Sequence, residues 1–590
     1  MKILSLVSSM LLALTVSAQT IPQSRLADWS TAGYIDTLPT YTNTVNILNY
    51  GGSGNGTTPN DNAIINAITA LGGAAGIIYF PAGDYLFNQQ MVLNRDSVII
   101  KGDGVSTRLL FDLSGSIIDA INIPGTMVFQ TTDVAGSISK DDTILTLSSA
   151  SSYDVGDHLL LSGNDSALIA SPWAYNTVGQ ILKVVGKQGN DLTVSEKIRR
   201  NYSTDFKAGV SKLDPVKGVG IECLYIERID STSQQTNNIH FNRAAECWVV
   251  GVESNKSNFA HVAMSYSTHI TVRGCYFHHA HSYGESGRAY GALLQYTSGD
   301  CLVENNIFEH LRHSMLVQAG ANGNVISYNY SFDTHWDQAP LPSNSAGDMV
   351  CHGNYPYLNL FEGNIGQNII VDDSHGINGP YNTFFRNRAE LYGVFMNNNP
   401  ASDSVNYVGN EITNTGASFG LYFLNGNGHL QHANNVKGSI TPIGTGTLAE
   451  KSLYLTGPPG YWSNLDTFSS IGTPHVYNQG TLAAKRRAAT NAKTDCRKNP
   501  KYVSIKQLSE VGKMQVYPNP IQDELNVVLS ESKGAQYTIY TISGIGIKTG
   551  MLQNGSNSIN CSALPVGWYT LSISSSDGKV YRQKLVKLSR

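Results

Sequence analysis

Leu302-Val303-Glu304-Asn305-Asn306 returns as Val325-Ile326-Ser327-Tyr328-Asn329, Leu360-Phe361-Glu362-Gly363-Asn364, Phe384-Phe385-Arg386-Asn387, Asn406-Tyr407-Val408-Gly409-Asn410 and His432-Ala433-Asn434-Asn435. Taken at 306, 329, 364, 387, 410 and 435, successive asparagines stand 23, 35, 23, 23 and 25 residues apart. A nearly constant step of that size is the mark of a solenoid. Each phrase is too short for a helix, is rich in strand formers, and ends in a residue that tolerates a bent or left-handed backbone. The spacing predicts an all-β fold, a right-handed parallel β-helix whose rungs stack at about 4.8 Å. One rung cannot bury its apolar face alone, so stacked rungs share a core in which asparagine side chains bond from rung to rung. Ordinary antiparallel strands fit worse, because hairpin turn signals do not occur at regular intervals.

A second register runs alongside the first. Counting back eleven from Asn306 and Asn329 gives Gln295 and Gln318, so Gly291-Ala292-Leu293-Leu294-Gln295 lies over Ser314-Met315-Leu316-Val317-Gln318. Asp348-Met349-Val350-Cys351-His352 continues the column with one extra residue, followed by Gly393-Val394-Phe395-Met396-Asn397 and Gly420-Leu421-Tyr422-Phe423-Leu424. Two strands per rung are thereby accounted for.

The chain has 590 residues, 57 Gly, 31 Tyr, 14% charged residues and a net charge of −4. That length predicts more than one domain, and the composition predicts mostly β structure. The near-neutral charge argues against nucleic acid or a membrane surface as partner. Lys2, the apolar run Ile3 to Val16, and Val16-Ser17-Ala18 before Gln19 read as a signal peptide spanning residues 1–18. The run is too short to span a bilayer and no later segment is apolar enough, so export without a transmembrane segment is expected. Seven cysteines form no metal-binding pattern. Cys247, Cys275 and Cys301, 28 and 26 residues apart, read as small buried ladder residues rather than disulfide partners.

Towards the N-terminus, Val45-Asn46-Ile47-Leu48 leads to a glycine-rich turn at Tyr50 to Gly56. Asn60-Asp61 then caps a helix whose apolar face is Ala63, Ile64, Ala67, Ile68 and Leu71. Ile77-Ile78-Tyr79-Phe80-Pro81-Ala82-Gly83-Asp84-Tyr85 and Ile99-Ile100-Lys101-Gly102-Asp103-Gly104 follow. This order of motifs resembles the N-terminal cap of the pectate-lyase superfamily, in its rhamnogalacturonase and epimerase-like branch. The resemblance covers residues 45 to 435 and implies a right-handed β-helix acting on polysaccharides; it implies the fold more firmly than the reaction. Within residues 19–436, the short strands of 127–205 break the rung pattern and suggest a β insertion. Residues 437–513 read as a cap and linker.

From Met514 the chain reads as a separate β-sandwich: Val516-Tyr517-Pro518-Asn519-Pro520, Leu564-Pro565-Val566-Gly567-Trp568-Tyr569 and the closing Lys584-Leu585-Val586-Lys587. Residues 514–590 resemble the C-terminal sorting domain of the type IX secretion system. That resemblance implies passage through the periplasm and release at or from the cell surface, with the secretion machinery as a partner.

In a solenoid, function sits on the turns that grew. Cys275 to Asn306 is 31 residues and Asn329 to Asn364 is 35, so extra chain bulges near 276–290 and 331–347. These bulges carry His278-His279-Ala280-His281, Glu285, Arg288, Tyr290 and Asp333-Thr334-His335-Trp336-Asp337. The second register sets Asp348 between His313, with Arg312, and His375, which follows Asp372-Asp373. Asp348, His375, His313, Arg312 and Asp373 are the catalytic candidates, since carboxylates beside imidazoles and a guanidinium serve as base, acid or charge stabiliser. Trp336, Tyr290, Arg288 and His352 are candidate substrate contacts, and flat rings there, or at Tyr355 and Tyr381, would cover the apolar face of a sugar. The close histidines 278, 279 and 281 lack the spacing of a zinc site and suit a solvated or substrate-facing loop better.

Two chemistries fit, and both cleave glycosidic bonds. Hydrolysis needs two carboxyl groups, from Asp348 with Asp373 or Asp337. Elimination from a uronic acid needs a base and charge neutralisation by Arg or Ca²⁺. The acidic Ca²⁺ cluster of pectate lyases is not identifiable in the sequence. A non-catalytic, adhesin-like glycan-binding solenoid is the other class; it would show uniform rungs without clustered titratable turns, so an enzyme is the expectation.

Overall fold

The buried asparagines decide the corner between the first two strands of each rung. The backbone N–H and Nδ2 of Asn306 donate to Oδ1 of Asn329 at 2.9 and 3.0 Å. The same double bond runs on through Asn364, Asn387, Asn410 and Asn434. Each Nδ2 also donates to a carbonyl of the rung before it, from Val272 O for Asn306 to Tyr407 O for Asn434. Two details differ from the sequence reading. The left-handed residue is the one before the asparagine: Asn305, Tyr328, Gly363, Arg386, Gly409 and Ala433, with φ between 53° and 70°. The last ladder residue is Asn434, not Asn435, so the final step is 24; the doubled asparagine concealed which of the two turns inward.

The structure is a computed structural model. It describes residues 19–498 except 36, 285, 340, 463–467 and 469, and residues 514–587 except 518–520, 530–534, 542–545 and 576–579. The signal segment 1–18, Glu285 and the Pro518-Asn519-Pro520 motif lie outside the described residues. The chain divides into two units, Met1–Tyr502 and Val503–Arg590.

In the first unit every central rung carries three parallel strands. The first stack is a 12-stranded sheet running from Thr44–Asn46 through Leu302–Glu304 and Val325–Ser327 to Leu430–His432. The second and third stacks form one 21-stranded sheet, joined where Ile365–Val371 and Arg388–Met396 run through both. Short strands such as Ile307–Glu309 make the second stack; Tyr290–Gln295, His313–Val317 and Met349–Cys351 make the third. Inward side chains form columns, with Phe361, Phe384 and Tyr407 stacked 4.9 and 5.4 Å apart.

Cys247, Cys275 and Cys301 are free and buried, but they do not share a column. Cys275 donates to Asn306, whereas Cys301 donates to Asn324 at the head of a second ladder through Asn359 and Asn382. A bond the sequence did not disclose joins Cys223 to Cys496 and ties the late segment back to the solenoid.

Antiparallel strands between Thr126–Met127 and Gly209–Asp214 form a seven-stranded sheet with its own core of Leu145, Leu159, Leu161, Leu182, Leu192 and Val210. Leu448, Tyr454, Tyr461, Ile471 and Leu482 pack with Ile21 and Trp29 over the outer side chains Leu302, Val325, Leu360 and Phe385 of the first stack. Among the described residues no helix is long and apolar enough to cross a membrane. The second unit contains a three-stranded and a four-stranded antiparallel sheet around Leu525, Ile539, Leu571 and Leu585.

A ladder asparagine leaves buried donors and an acceptor without partners when removed, at about 1–3 kcal/mol each. Asn364→Leu and Asn434→Leu are expected to lower the melting temperature, while Asn435→Leu, whose side chain joins no ladder, changes it little. Equal losses at 434 and 435 would contradict the ladder register.

Candidate active site on the outer face of the third stack

Covering elements bury the outer face of the first stack; the outer face of the third stack is a strip buried at Leu293, Leu316 and Val350 and open towards Phe395 and Phe423. Leu293, Leu316, Val350, Ile370, Phe395 and Phe423 pair rung to rung along it. Two residues further along the strands, and therefore on the same face, lie Gln295, Gln318, His352, Asp372 and Asn397. Gln318 Nε2 donates to Gln295 Oε1 at 2.8 Å. His352 Nδ1 lies 2.5 Å from Asp372 Oδ2.

Around this pair gather three candidates named from sequence. The His313 ring lies 5.1 Å from Tyr290 and 5.3 Å from His352, and its Nδ1 lies 3.1 Å from Gly347 O. The His375 ring stands edge-on to His352 at 5.0 Å. Burial, with Arg312 and His352 adding to it, pushes His313 well below the usual imidazole range. Burial and His352 also lower His375. Asp372 is pushed up by burial, but His352 and then His313 outweigh that, and its carboxyl is held below the usual range. Burial pushes the Tyr290 phenol up to about 12. The result is an ionised Asp372 carboxylate with the neutral His313 and His375 imidazoles close to it.

The turns supply its edges. Arg312 stacks its guanidinium 4.3 Å from the Trp336 ring and donates to Gly284 O, so Trp336 is engaged by protein. Asp373 accepts from Asn397 Nδ2 and Asn399 N, and lines an open depression of about 500 Å³ with Tyr392, Phe395, Phe423 and Asn425. Arg288 donates to Thr232 O and Ser233 O and ties one loop to another. Tyr355 and Tyr381 stack against Arg200 and Arg25.

Asp348 does not sit between His313 and His375. Met315 pairs with Met349, so Asp348 aligns with Ser314 and Gly347 aligns with His313. A one-residue offset turns a side chain to the opposite face. Asp348 is fully buried; its Oδ2 accepts from Gln367 N and Asn368 N at 2.8 and 2.6 Å, beneath the strip. This corrects the place the sequence reading gave Asp348 between the two histidines.

The histidine loop is likewise tied to protein. His278 contacts Glu253 and His279, and His281 contacts Arg228 O. Among the described residues no group of three or more His, Cys, Asp or Glu side chains is set to hold a metal ion.

Sequence reasoning missed Trp173. It belongs to the insertion, 202 positions before His375, and stands edge-on to that ring at 5.3 Å while Ser171 Oγ lies 3.3 Å from His375 Nδ1. The indole remains 44% exposed, a flat apolar surface beside the imidazoles. A Ser-Pro-Trp run in a segment of illegible fold gives no sign of this neighbour.

Burial pushes the Asp348 carboxyl up to about 7 from an ordinary 3.8, against the opposing N–H donors of Asn368 and Gln367. The unfolded chain gives up this proton near about pH 4 and the folded chain only near about 7, so stability present below about pH 4 is lost progressively as pH rises to about 7. Asp348→Asn is expected to keep turnover and to reduce the fall in melting temperature between about pH 4 and about pH 7. The reduction is partial, because Glu362, also pushed up to about 7 by burial, remains. Loss of turnover in a folded Asp348→Asn protein would return Asp348 to the catalytic set.

Residues 44–123 match the family described as rhamnogalacturonase A/epimerase, pectate lyase-like, and residues 515–588 match the secretion system C-terminal sorting domain. Among solved structures the chain is similar to the tailspike protein gp49 of Pseudomonas phage LKA1, at 16% identity and a TM-score of 0.49, over 63% of this chain and 64% of that one. It is also similar to the tailspike gp61 of Pseudomonas phage phi297, at 15% identity and 0.46, over 67% and 74%. A third is a hyperthermoactive exopolygalacturonase from Thermotoga maritima, at 11% identity and 0.37, over 64% and 83%. The chain thus spans just under two thirds of the LKA1 tailspike's length. No curated protein matches it. The stacked parallel sheets make the chain a right-handed parallel β-helix protein, in which residues 44–123 match the pectate lyase-like family and residues 515–588 match the secretion-system C-terminal sorting domain.

Proposed function

We propose that this is an exported enzyme that cleaves an acidic polysaccharide along the outer strip of the third stack, by β-elimination. The observation that carries the reading is the His352–Asp372 pair with the His313 and His375 rings around it. An ionised Asp372 holds the proton on His352 Nδ1, which leaves Nε2 as the basic nitrogen. His352 then takes the proton α to a uronate carboxylate, the C4–O4 bond breaks, a C4=C5 double bond forms, and the departing oxygen takes a proton from water. Arg312 offsets the charge that develops on the uronate. Trp173 and the Phe395–Phe423 pair, stacked at 5.7 Å, offer apolar faces to neighbouring sugars.

Hydrolysis by Asp372 and Asp373 is the weaker reading, because a general acid needs a raised pKa and Asp372 is held low. The name of one similar structure, an exopolygalacturonase, agrees with a glycan as partner without naming the one this chain takes. The sorting domain points to export through type IX secretion to the cell surface or medium.

A panel of acidic and neutral polysaccharides, followed for reducing ends and for ultraviolet absorbance, separates the readings. An unsaturated, absorbing product is expected from a uronate polymer. Reducing ends without absorbance mean hydrolysis, and binding without product means a non-catalytic solenoid. His352→Gln should lower turnover by about 10²- to 10⁴-fold. Trp173→Ala should raise KM roughly 2- to 10-fold, the equivalent of one aromatic contact, with kcat little changed. A chelator tests the Ca²⁺ expectation: loss of rate restored by Ca²⁺ would show that the bound uronate recruits the ion.

Deleting residues 514–590 is expected to leave the protein in the periplasm. Normal release of the truncated chain would contradict export through this domain.

A further inference from the structure

Three rungs before His352, on the same outer face, a serine meets a histidine that meets a carboxylate. Asp119 Oδ2 lies 2.8 Å from His240 Nδ1, and His240 Nε2 lies 3.0 Å from Ser265 Oγ. Asp119 is fixed in turn by Asn237, whose backbone N and Nδ2 donate to its Oδ1 at 2.7 and 2.9 Å. Burial pushes the Asp119 carboxyl up, but His240 and then Asn237 outweigh it and hold it below the usual range. An ionised Asp119 keeps the imidazole proton on Nδ1, so Nε2 accepts. Gln295 Nε2 donates to Ser265 Oγ at 3.3 Å, while Gln295 Oε1 is taken by Gln318. The hydroxyl proton of Ser265 is left one direction, towards His240.

This is a nucleophile beside a base that a third group orients. We propose that Ser265, His240 and Asp119 form a second, esterolytic centre, which removes small O-acyl groups from a glycan lying along the strip. Only the identity of the glycan carrier rests on the chain-cleavage reading above. The side chains of His240 and Asp119 are 17% and 18% exposed, so the base reaches the surface. Ser265 itself is 3% exposed and recessed, a fit for an acetyl-sized group rather than a long acyl chain. Ser265 pairs with Asn242 on one side and Gln295 on the other, which sets a side-chain amide on the rung before and the rung after it. Asn242 Oδ1 accepts from Arg243, so the N–H groups of that amide, with the second N–H of Gln295, are the donors for an oxyanion.

Ser265 Oγ attacks the ester carbonyl carbon and passes its proton to His240 Nε2. The acyl carbon–oxygen bond to the sugar breaks, and the sugar oxygen takes that proton. Water then adds to the acyl carbon, returns a proton through His240 to Ser265 Oγ, and the carboxylic acid leaves.

The test uses the full chain with p-nitrophenyl acetate as substrate and an alkyl fluorophosphonate as serine probe. Labelling at Ser265, located by peptide mapping, is expected, with ester hydrolysis at least about 10²-fold lower in Ser265→Ala and in Asp119→Asn. Absence of label at Ser265, or equal ester hydrolysis in the native chain and Ser265→Ala, overturns the proposal. The native-chain labelling stands as a test even where a variant fails to fold. Because p-nitrophenyl acetate has no glycosidic bond, ester hydrolysis with intact uronate polymers would remove the chain-cleavage reading and leave this one, and the converse result would remove this one alone.

Discussion

Each turn of this solenoid has to bend a strand inside the protein, where a backbone N–H without a partner is costly. The asparagine ladder meets that constraint: one Oδ1 receives both a backbone N–H and an amide N–H from the rung beside it. Because each asparagine accepts from the rung before it and donates to the rung after it, the ladder fixes the register of every rung from 306 to 434, not only the corner. Once the register is set, the alternation of side chains decides which residues face the core and which face out. The outer strip of the third stack is therefore a consequence of the ladder, and groups on successive rungs stand about 4.8 Å apart without any loop having to hold them.

That spacing is what makes the strip chemically useful. Asp372 and His352 come from adjacent rungs and reach each other directly, and His313 and His375 lie close enough to shape which protonation states persist. The insertion then closes one side. Its Arg199 pairs with buried Asp300 and donates to Asn322, and Tyr357 Oη donates to Gly179 O at 2.6 Å. A buried ion pair is weak evidence of stability but good at specifying one arrangement. Here the arrangement it specifies keeps Trp173 beside His375.

The fold was legible because it repeats: the 23-residue step, the Gly-rich cap and the tail motif each carry their signal in contiguous sequence. The site was legible only in part. His313, His352, His375, Tyr290 and the Asp372-Asp373 pair were named, and the first four together with Asp372 do converge. The alignment of Ser314 over Asp348 was right, but Asp348 was then set in line with His313, one position away, and so on the wrong face. Asn434 and Asn435 exchanged places for a different reason, since adjacent identical residues give no clue to which points inward. Trp173 and the Asp119–His240–Ser265 set were invisible because their members lie on separate rungs or in the insertion. Such contacts depend on how rungs stack, and no local pattern encodes them.

The central claim is that a glycan lies along the third stack's outer strip. A crystal of the His352→Gln variant soaked with an oligouronide tests it most directly. The account predicts sugar density running past Trp173 and residue 352 towards Phe395, with a uronate carboxylate facing Arg312. Ordered sugar on the His278 and His335 turns, with the strip empty, would contradict it.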